Sequence, residues 1–126
     1  TAAAMPKVPV PVYRFMFAHV TAKNAEAKKG ATNGSEIPFV FGTQSAPTTD
    51  ERALATTMIG YWTHFARSGN PNHAGAPAWP VYDANDSYVE LQTPIAARAG
   101  ARTAKCDLLD SIVFDETDVE SSQKGD

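Results

Sequence analysis

The segment from Val12 to Ala18 is nearly all apolar, with aromatic side chains on both of its alternating faces. Successive side chains of a strand point to opposite sides of the sheet, so both faces of this strand need to be buried. Burial on both faces is typical of a strand inside a mostly parallel sheet that helices cover, and such a strand needs a neighbour on each edge. The sequence therefore predicts a fold of the α/β class.

A long amphipathic helix is predicted over residues 49–68. Thr48 and Glu51 have the spacing of a capping box, and Gly69 followed by Asn70-Pro71 marks the end of the helix. Between these limits apolar side chains recur at helical spacing and predict one broad buried stripe, made of Leu54, Met58, Tyr61, Trp62 and Phe65.

Shorter elements are predicted on either side of this helix. Asn33-Gly34 is a strong turn signal, because both residues tolerate positive φ, and a short helix over 35–41 would follow it and stop at Gly42. We expect Phe39, Val40 and Phe41 of this helix to pack in the core. Residues 70–87 form a predicted loop, which Trp79-Pro80-Val81-Tyr82 anchors on the core.

Two more elements and a tail complete the chain. Tyr88 to Leu91 alternates like a short strand, and residues 102–113 suggest a last helix with Leu108, Leu109 and Ile112 facing inward. From 115 to 126 the chain is acidic and almost without apolar residues, which predicts disorder.

Composition excludes several classes of function. The chain has 126 residues, enough for one domain, and a net charge of −3 with no Lys/Arg cluster interleaved with aromatics, so we expect no nucleic-acid partner. Its apolar runs are too short for a membrane span, and its single cysteine, Cys106, excludes an internal disulfide. We expect no cofactor and no metal, since Asp107 and Asp110 have a spacing that suits helix capping or solvation better than metal binding.

Residues 30–42 read Gly-Ala-Thr-Asn-Gly-Ser-Glu-Ile-Pro-Phe-Val-Phe-Gly. This segment resembles the histidine loop of the type-B carboxylesterases and cholinesterases, Gly-x-x-His-Gly-x-Glu-Ile/Leu-Pro-Phe/Tyr-Val-Phe-Gly. Every position matches except Asn33, which stands where the family carries its catalytic histidine. The resemblance continues downstream and runs from about Val12 to about Asp110, through residues 58–72, Trp79-Pro80-x-Tyr82, Tyr88 to Leu91 and 106–110.

The resemblance implies that residues 1–114 are the C-terminal part of a type-B carboxylesterase domain, with 115–126 as an acidic tail. The implied fold is a C-terminal fragment of an α/β-hydrolase. Such a fragment would hold one or two strands of the central sheet, the histidine loop, a long amphipathic helix, and a C-terminal strand and helix. A secreted or periplasmic location is plausible from the same resemblance, although the residues themselves do not define a compartment.

The resemblance also implies a serine-hydrolase mechanism acting on a small-molecule carboxylic ester. In this fold the catalytic residues follow the chain order serine, acid, histidine, and the serine lies in Gly-x-Ser-x-Gly. That motif is absent from the 126 residues, so we expect the complete protein to need a missing upstream catalytic segment. An amide cannot accept and return a proton as imidazole does. The chain should therefore be inactive alone, and a complete enzyme nearly inactive unless another base replaces Asn33.

Glu36 matches the glutamate of the family loop, and the resemblance implies that it supports the active centre through hydrogen bonds. The alternative is a glutamate at a helix N-terminus, where the helix dipole stabilises its charge. For Asn33 the alternative is a plain surface turn, which we disfavour because the flanking residues match so closely.

The three histidines of the chain are not predicted to be catalytic. We interpret His19 as a residue at the end of the buried strand, His64 as a partly exposed helix residue, and His73 as an exposed loop residue. Two other functional classes remain open beside the enzyme. A catalytically dead cholinesterase-like adhesion protein would explain Asn33, and an independent small α/β module is least favoured because its strand edges would be exposed.

Overall fold

The protein, described by a computed structural model over residues 10–101 and 103–115, combines a three-stranded sheet with helices. In chain order the elements are β1 (Phe15–Phe17), α1 (Ala22–Glu26), α2 (Ile37–Phe41), α3 (Thr49–Ser68), β2 (Ser87–Leu91), β3 (Ala96–Ala99) and α4 (Thr103–Asp115). This alternation of strands and helices agrees with the predicted α/β class.

The sheet is mixed, in the order β1-β2-β3. β1 runs parallel to β2 with Phe15 opposite Val89, whereas β2 and β3 are antiparallel. A parallel pair needs a crossover connection, and α3 lies within that connection. β2 is the central strand, and its Val89 and Leu91 are fully buried.

β1 is shorter than predicted and is not covered on both faces. It comprises three residues at the edge of the sheet, and Phe15 keeps 40% of its surface exposed. The expectation of a doubly buried strand with two neighbours is therefore not met within the described ranges. Here β2 is the only strand that pairs with β1.

α3 begins and ends where the sequence predicted. The Thr48 hydroxyl accepts a hydrogen bond from the Glu51 backbone and the Glu51 carboxylate accepts one from the Thr48 backbone, so the capping box is complete. Gly69 ends the helix at φ +76°. The predicted stripe is buried at Leu54, Met58 and Tyr61, but Phe65 is 49% exposed.

Trp79 anchors the loop that follows α3, as predicted. Its Nε1–H donates a hydrogen bond of 2.9 Å to the carbonyl of Arg14, just before β1. Its ring stands edge-on to Tyr61, with 5.2 Å between the ring centroids, and the Tyr61 hydroxyl donates to the carbonyl of Pro77. Val81, which was predicted to belong to the same anchor, is 47% exposed and does not help to hold the loop on the core.

The predicted last helix is present, but the prediction that Leu108 and Leu109 face inward was wrong. Leu108 and Leu109 are each 61% exposed, because every side chain described between 103 and 111 is exposed and no described element covers this helix. α4 also includes Asp115, the first residue of the predicted tail. The side chain of Ile112 and the tail residues 116–126 lie outside the described residues.

Two elements were not predicted at all. α1 lies in a stretch of small and polar residues, and the Thr21 hydroxyl caps it. β3 reads Ala-Ala-Arg-Ala and lacks the β-branched and aromatic residues that mark strands. Its pairing with β2 holds it in place, so the strand is a product of tertiary context.

Large apolar side chains remain exposed around β1, α2 and α3, among them Phe15, Phe41, Ile59 and Phe65. We expect the isolated 126-residue chain to be partly helical, with α3 the most persistent element, and to bind a hydrophobic dye. Circular dichroism with a dye-binding assay measures both properties. A sharp cooperative thermal transition without dye binding would contradict this expectation.

Candidate active site

The loop of residues 30–42 is organised by a β-turn, as predicted from Asn33-Gly34. The carbonyl of Thr32 accepts hydrogen bonds from the backbone N–H of Ser35 at 3.0 Å and from its hydroxyl at 2.6 Å. Gly34 occupies the third position of the turn at φ +79°, a conformation that glycine adopts without steric cost. Asn33 is the exposed residue at the second position.

α2 follows this turn and fixes the loop on the core. Pro38 lies in its first turn and Gly42 ends it at φ +64°. Phe39 is 2% exposed, as expected of a core residue, whereas Phe41 is 72% exposed and corrects the prediction that all three residues from 39 to 41 pack inside. Glu36 stands at the N-cap of α2 without a side-chain capping hydrogen bond.

An open cleft of about 1020 Å³ lies beside the turn. Asn33 and Ser35 line it together with residues from the end of β1 and from the start of α3, including His19 and Glu51. Glu36 is not among the lining residues. The structure thus brings Asn33, but not Glu36, to the cleft.

His19 and Glu51 form a hydrogen-bonded pair within this cleft. The His19 Nε2 and Glu51 Oε1 atoms are 2.9 Å apart, and the two side chains are only 17% and 14% exposed. The second carboxylate oxygen of Glu51 accepts a hydrogen bond of 2.9 Å from the backbone N–H of Thr48. The His19 ring stands edge-on to Phe39, with centroids 5.4 Å apart.

Sequence reasoning missed this pair. The sequence predicted His19 at the end of the strand and Glu51 in the cap of a helix, and the structure has both residues there. Neither prediction indicated that the two side chains would be in contact. The two residues meet because the end of β1 lies against the start of α3, and nothing in the spacing of His19 and Glu51 signals that proximity.

The pair lowers the pKa of the Glu51 carboxyl group. The hydrogen bond from His19 is the largest cause, the Thr48 backbone N–H is the second, and partial burial opposes both. A carboxyl group whose pKa is depressed on folding stabilises the fold above its unfolded pKa of about 4.3, and that contribution is lost as the pH falls through the folded pKa. The start of α3 should therefore lose stability in acid.

We expect His19→Gln to raise the Glu51 pKa toward its ordinary value, because the largest cause of the shift is gone. The measurement is an NMR titration of the Glu51 side-chain carboxyl carbon, with His64→Gln as the control that removes a different histidine. An equal Glu51 pKa in His19→Gln and in the unchanged chain would show that the two side chains do not interact in solution.

His64 and His73 lie together, away from the cleft lining. Their rings are stacked with centroids 4.6 Å apart, and a Cβ atom on Gly60 would approach the His73 Nε2 to 2.5 Å. His64 is partly exposed on its helix, as predicted. The expectation of an exposed His73 was wrong, because the glycine leaves room for its ring against α3.

The described residues place an imidazole beside a carboxylate in the cleft, and none of their hydroxyl groups is hydrogen-bonded to a histidine ring. The Ser35 hydroxyl donates to its own turn rather than to a histidine. Over the described ranges no cluster of three or more His, Cys, Asp or Glu side chains is arranged to hold a metal ion. None of the helices in those ranges combines the length and apolarity needed to cross a membrane.

The chain is similar in sequence to proteins of one known family. The model of a family described as the carboxylesterase family matches residues 1–109. Over 98 residues the chain is 37% identical to pyrethroid hydrolase Ces2a of Mus musculus, 40% identical to acylcarnitine hydrolase of Rattus norvegicus and 39% identical to cocaine esterase of Homo sapiens. Each match covers 71% of this chain and 18% of the relative, so the chain spans less than a fifth of the length of these proteins.

Proposed function

This chain belongs to the carboxylesterase family, and we propose from that membership that residues 1–114 are the C-terminal part of a serine carboxylic-ester hydrolase. The observation that carries the proposal is the loop of residues 30–42, where nine of the ten residues that the pattern quoted above specifies are present and the tenth position, Asn33, lines a cleft. The relatives named above are called hydrolases or esterases, which supports an ester as the substrate class.

In the proposed enzyme, an upstream segment supplies the serine and the oxyanion-binding N–H groups, and the cleft of this chain faces them. The serine attacks the ester carbonyl while a base takes its proton and passes it to the leaving alcohol. Asn33 occupies the position of that base. Its side-chain amide does not exchange a proton near neutral pH, so the substitution leaves the reaction without its usual base.

The same proposal explains why apolar side chains near β1 are exposed in this chain. β1 has a paired edge toward β2 and an edge that no strand of the described chain pairs with, and Phe15 is 40% exposed there. An upstream strand added to that edge would pair its backbone groups and cover the ring, which is the environment that the sequence of Val12 to Ala18 predicts.

We further propose that Glu36 supports the loop in the assembled enzyme. It precedes the helix that carries the buried Phe39, and its carboxylate has no capping role in α2. A partner for this carboxylate would therefore come from the upstream segment, in agreement with the role that the family resemblance implies.

A second candidate function follows from Asn33 alone. A protein that keeps the esterase fold without the catalytic histidine is suited to binding a partner through its surface, as in cholinesterase-like adhesion proteins. The two candidates differ in one measurable property. Restoring the histidine at position 33 in the complete protein rescues ester hydrolysis only if its own upstream segment supplies the remaining catalytic groups, whereas the chimera below tests the assignment of position 33.

The test uses a chimera in which the part of this chain that aligns with the mouse pyrethroid hydrolase replaces the aligned segment of that protein, which supplies the rest of an esterase. The chimera with Asn33 is compared with Asn33→His in the hydrolysis of a short-chain aryl ester. A folded Asn33→His chimera without improved hydrolysis would overturn the assignment of position 33.

A further inference from the structure

The cleft that Asn33 lines also contains a histidine held by a carboxylate. His19 Nε2 and Glu51 Oε1 are 2.9 Å apart, and both residues line the cleft. Glu51 is fixed at both oxygens, since its Oε2 accepts the Thr48 N–H. The His19 ring is fixed by edge-on contacts with Phe17 and Phe39, at centroid distances of 6.3 and 5.4 Å. The pair is therefore positioned before any substrate binds.

The hydrogen bond determines which nitrogen of His19 can act as a base. An ionised carboxylate only accepts hydrogen bonds, so the neutral imidazole must carry its proton on Nε2 and its lone pair on Nδ1. A carboxylate on one ring nitrogen both selects the tautomer and stabilises the imidazolium that forms when the other nitrogen takes a proton. This is the arrangement that an acid–base group requires.

We propose that His19, positioned by Glu51, is the proton-transferring base of this cleft, in the role that Asn33 cannot fill. The inference rests on the proposed function for its substrate, a carboxylic ester. Nδ1 removes a proton from water as the water oxygen bonds to the ester carbonyl carbon. The tetrahedral intermediate then breaks its bond to the alcohol oxygen, which takes the proton from Nδ1. Ester and water give acid and alcohol, and the pair returns unchanged.

In this scheme His19 is the catalytic residue and Glu51 is a positioning residue. The reaction needs the neutral imidazole, whose lone pair lies on Nδ1. It does not need the upstream serine, because water is the nucleophile in the isolated chain. The activity is therefore slow and detectable only with an activated ester.

The test measures hydrolysis of 4-nitrophenyl acetate by the 126-residue chain as a function of pH. His19→Gln should lower the second-order rate constant by roughly tenfold, less than the 10² to 10⁴ of a fully developed general base. Glu51→Gln should lower it by roughly threefold, and glutamine can still close the capping box, so α3 keeps its start. His64→Gln is the matched control and should leave the rate unchanged.

A second measurement keeps the proposal testable if a variant fails to fold. Long-range ¹H–¹⁵N NMR of the unchanged chain should show the His19 proton on Nε2, and Glu51→Gln should shift that resonance. A proton on Nδ1, or equal ester hydrolysis by His19→Gln and His64→Gln, would overturn the inference. These measurements concern His19 in the 126-residue chain, whereas the histidine rescue concerns position 33 in the chimera, so the failure of one proposal can be told from the failure of the other.

Discussion

Changing Asn33 to histidine is expected to raise kcat/KM for a short-chain aryl ester by about 10³-fold in the chimera with the mouse relative, within the range of a positioned general base. Imidazole at this position can take the serine proton and return it to the leaving alcohol. Removing the histidine of subtilisin, a worked example in enzymology, costs about 10⁶ in kcat. We expect a smaller effect here, because the base proposed above, His19, would already act in the chimera that carries Asn33.

The control is Asn33→Gln, which keeps an amide and adds no base, and which should leave hydrolysis at the level of the Asn33 chimera. Circular dichroism and the thermal transition of each chimera establish that the variants fold alike. Equal rates for Asn33→His and Asn33→Gln in folded proteins would show that position 33 is not the position of the catalytic histidine.

The second large effect is expected from Trp79→Ala, which should lower the free energy of unfolding of the same chimera by about 3 to 5 kcal/mol. Trp79 is 6% exposed and joins three parts of the structure, since its ring contacts Tyr61 of α3 and Phe15 of β1 while its N–H donates to Arg14. Truncation leaves a cavity and removes one of the two hydrogen bonds that the Arg14 carbonyl accepts, the other being donated by the Val89 N–H.

Val81→Ala is the matched control for that substitution, because Val81 lies two residues further along the same loop and is 47% exposed. It should change the free energy of unfolding by less than about 0.5 kcal/mol. Guanidinium titration measures both variants. A loss at Val81 equal to that at Trp79 would show that the loop, and not the tryptophan, is the source of stability.

Features determined by a few neighbouring residues were predictable from sequence. The capping box at Thr48 and Glu51, the glycine stop at Gly69 and the turn at Asn33-Gly34 each depend on contacts within about four residues, and each was found as predicted. The burial of Trp79 was also predicted, because a large aromatic in a Pro/Gly-rich loop needs apolar cover.

Features determined by distant parts of the chain were not predictable. The His19–Glu51 pair joins two elements that only the tertiary fold brings together, and β3 is a strand because β2 pairs with it. The predicted burial of Leu108 and Phe41 was wrong for a related reason. Apolar character predicts that a side chain should be covered, but it does not say which segment covers it.

The parallel pairing of β1 and β2 has a consequence for anyone recombining this segment with related esterases. Phe15 of β1 is the pairing partner of Val89 of β2, and the Trp79 indole N–H is hydrogen-bonded to the backbone just before β1. A crossover point anywhere between these strands would join a strand from one parent to a partner from the other. Breakpoints upstream of β1 or downstream of β3 keep the whole segment from β1 to β3 from a single parent. Hybrid enzymes should therefore be joined at those two boundaries.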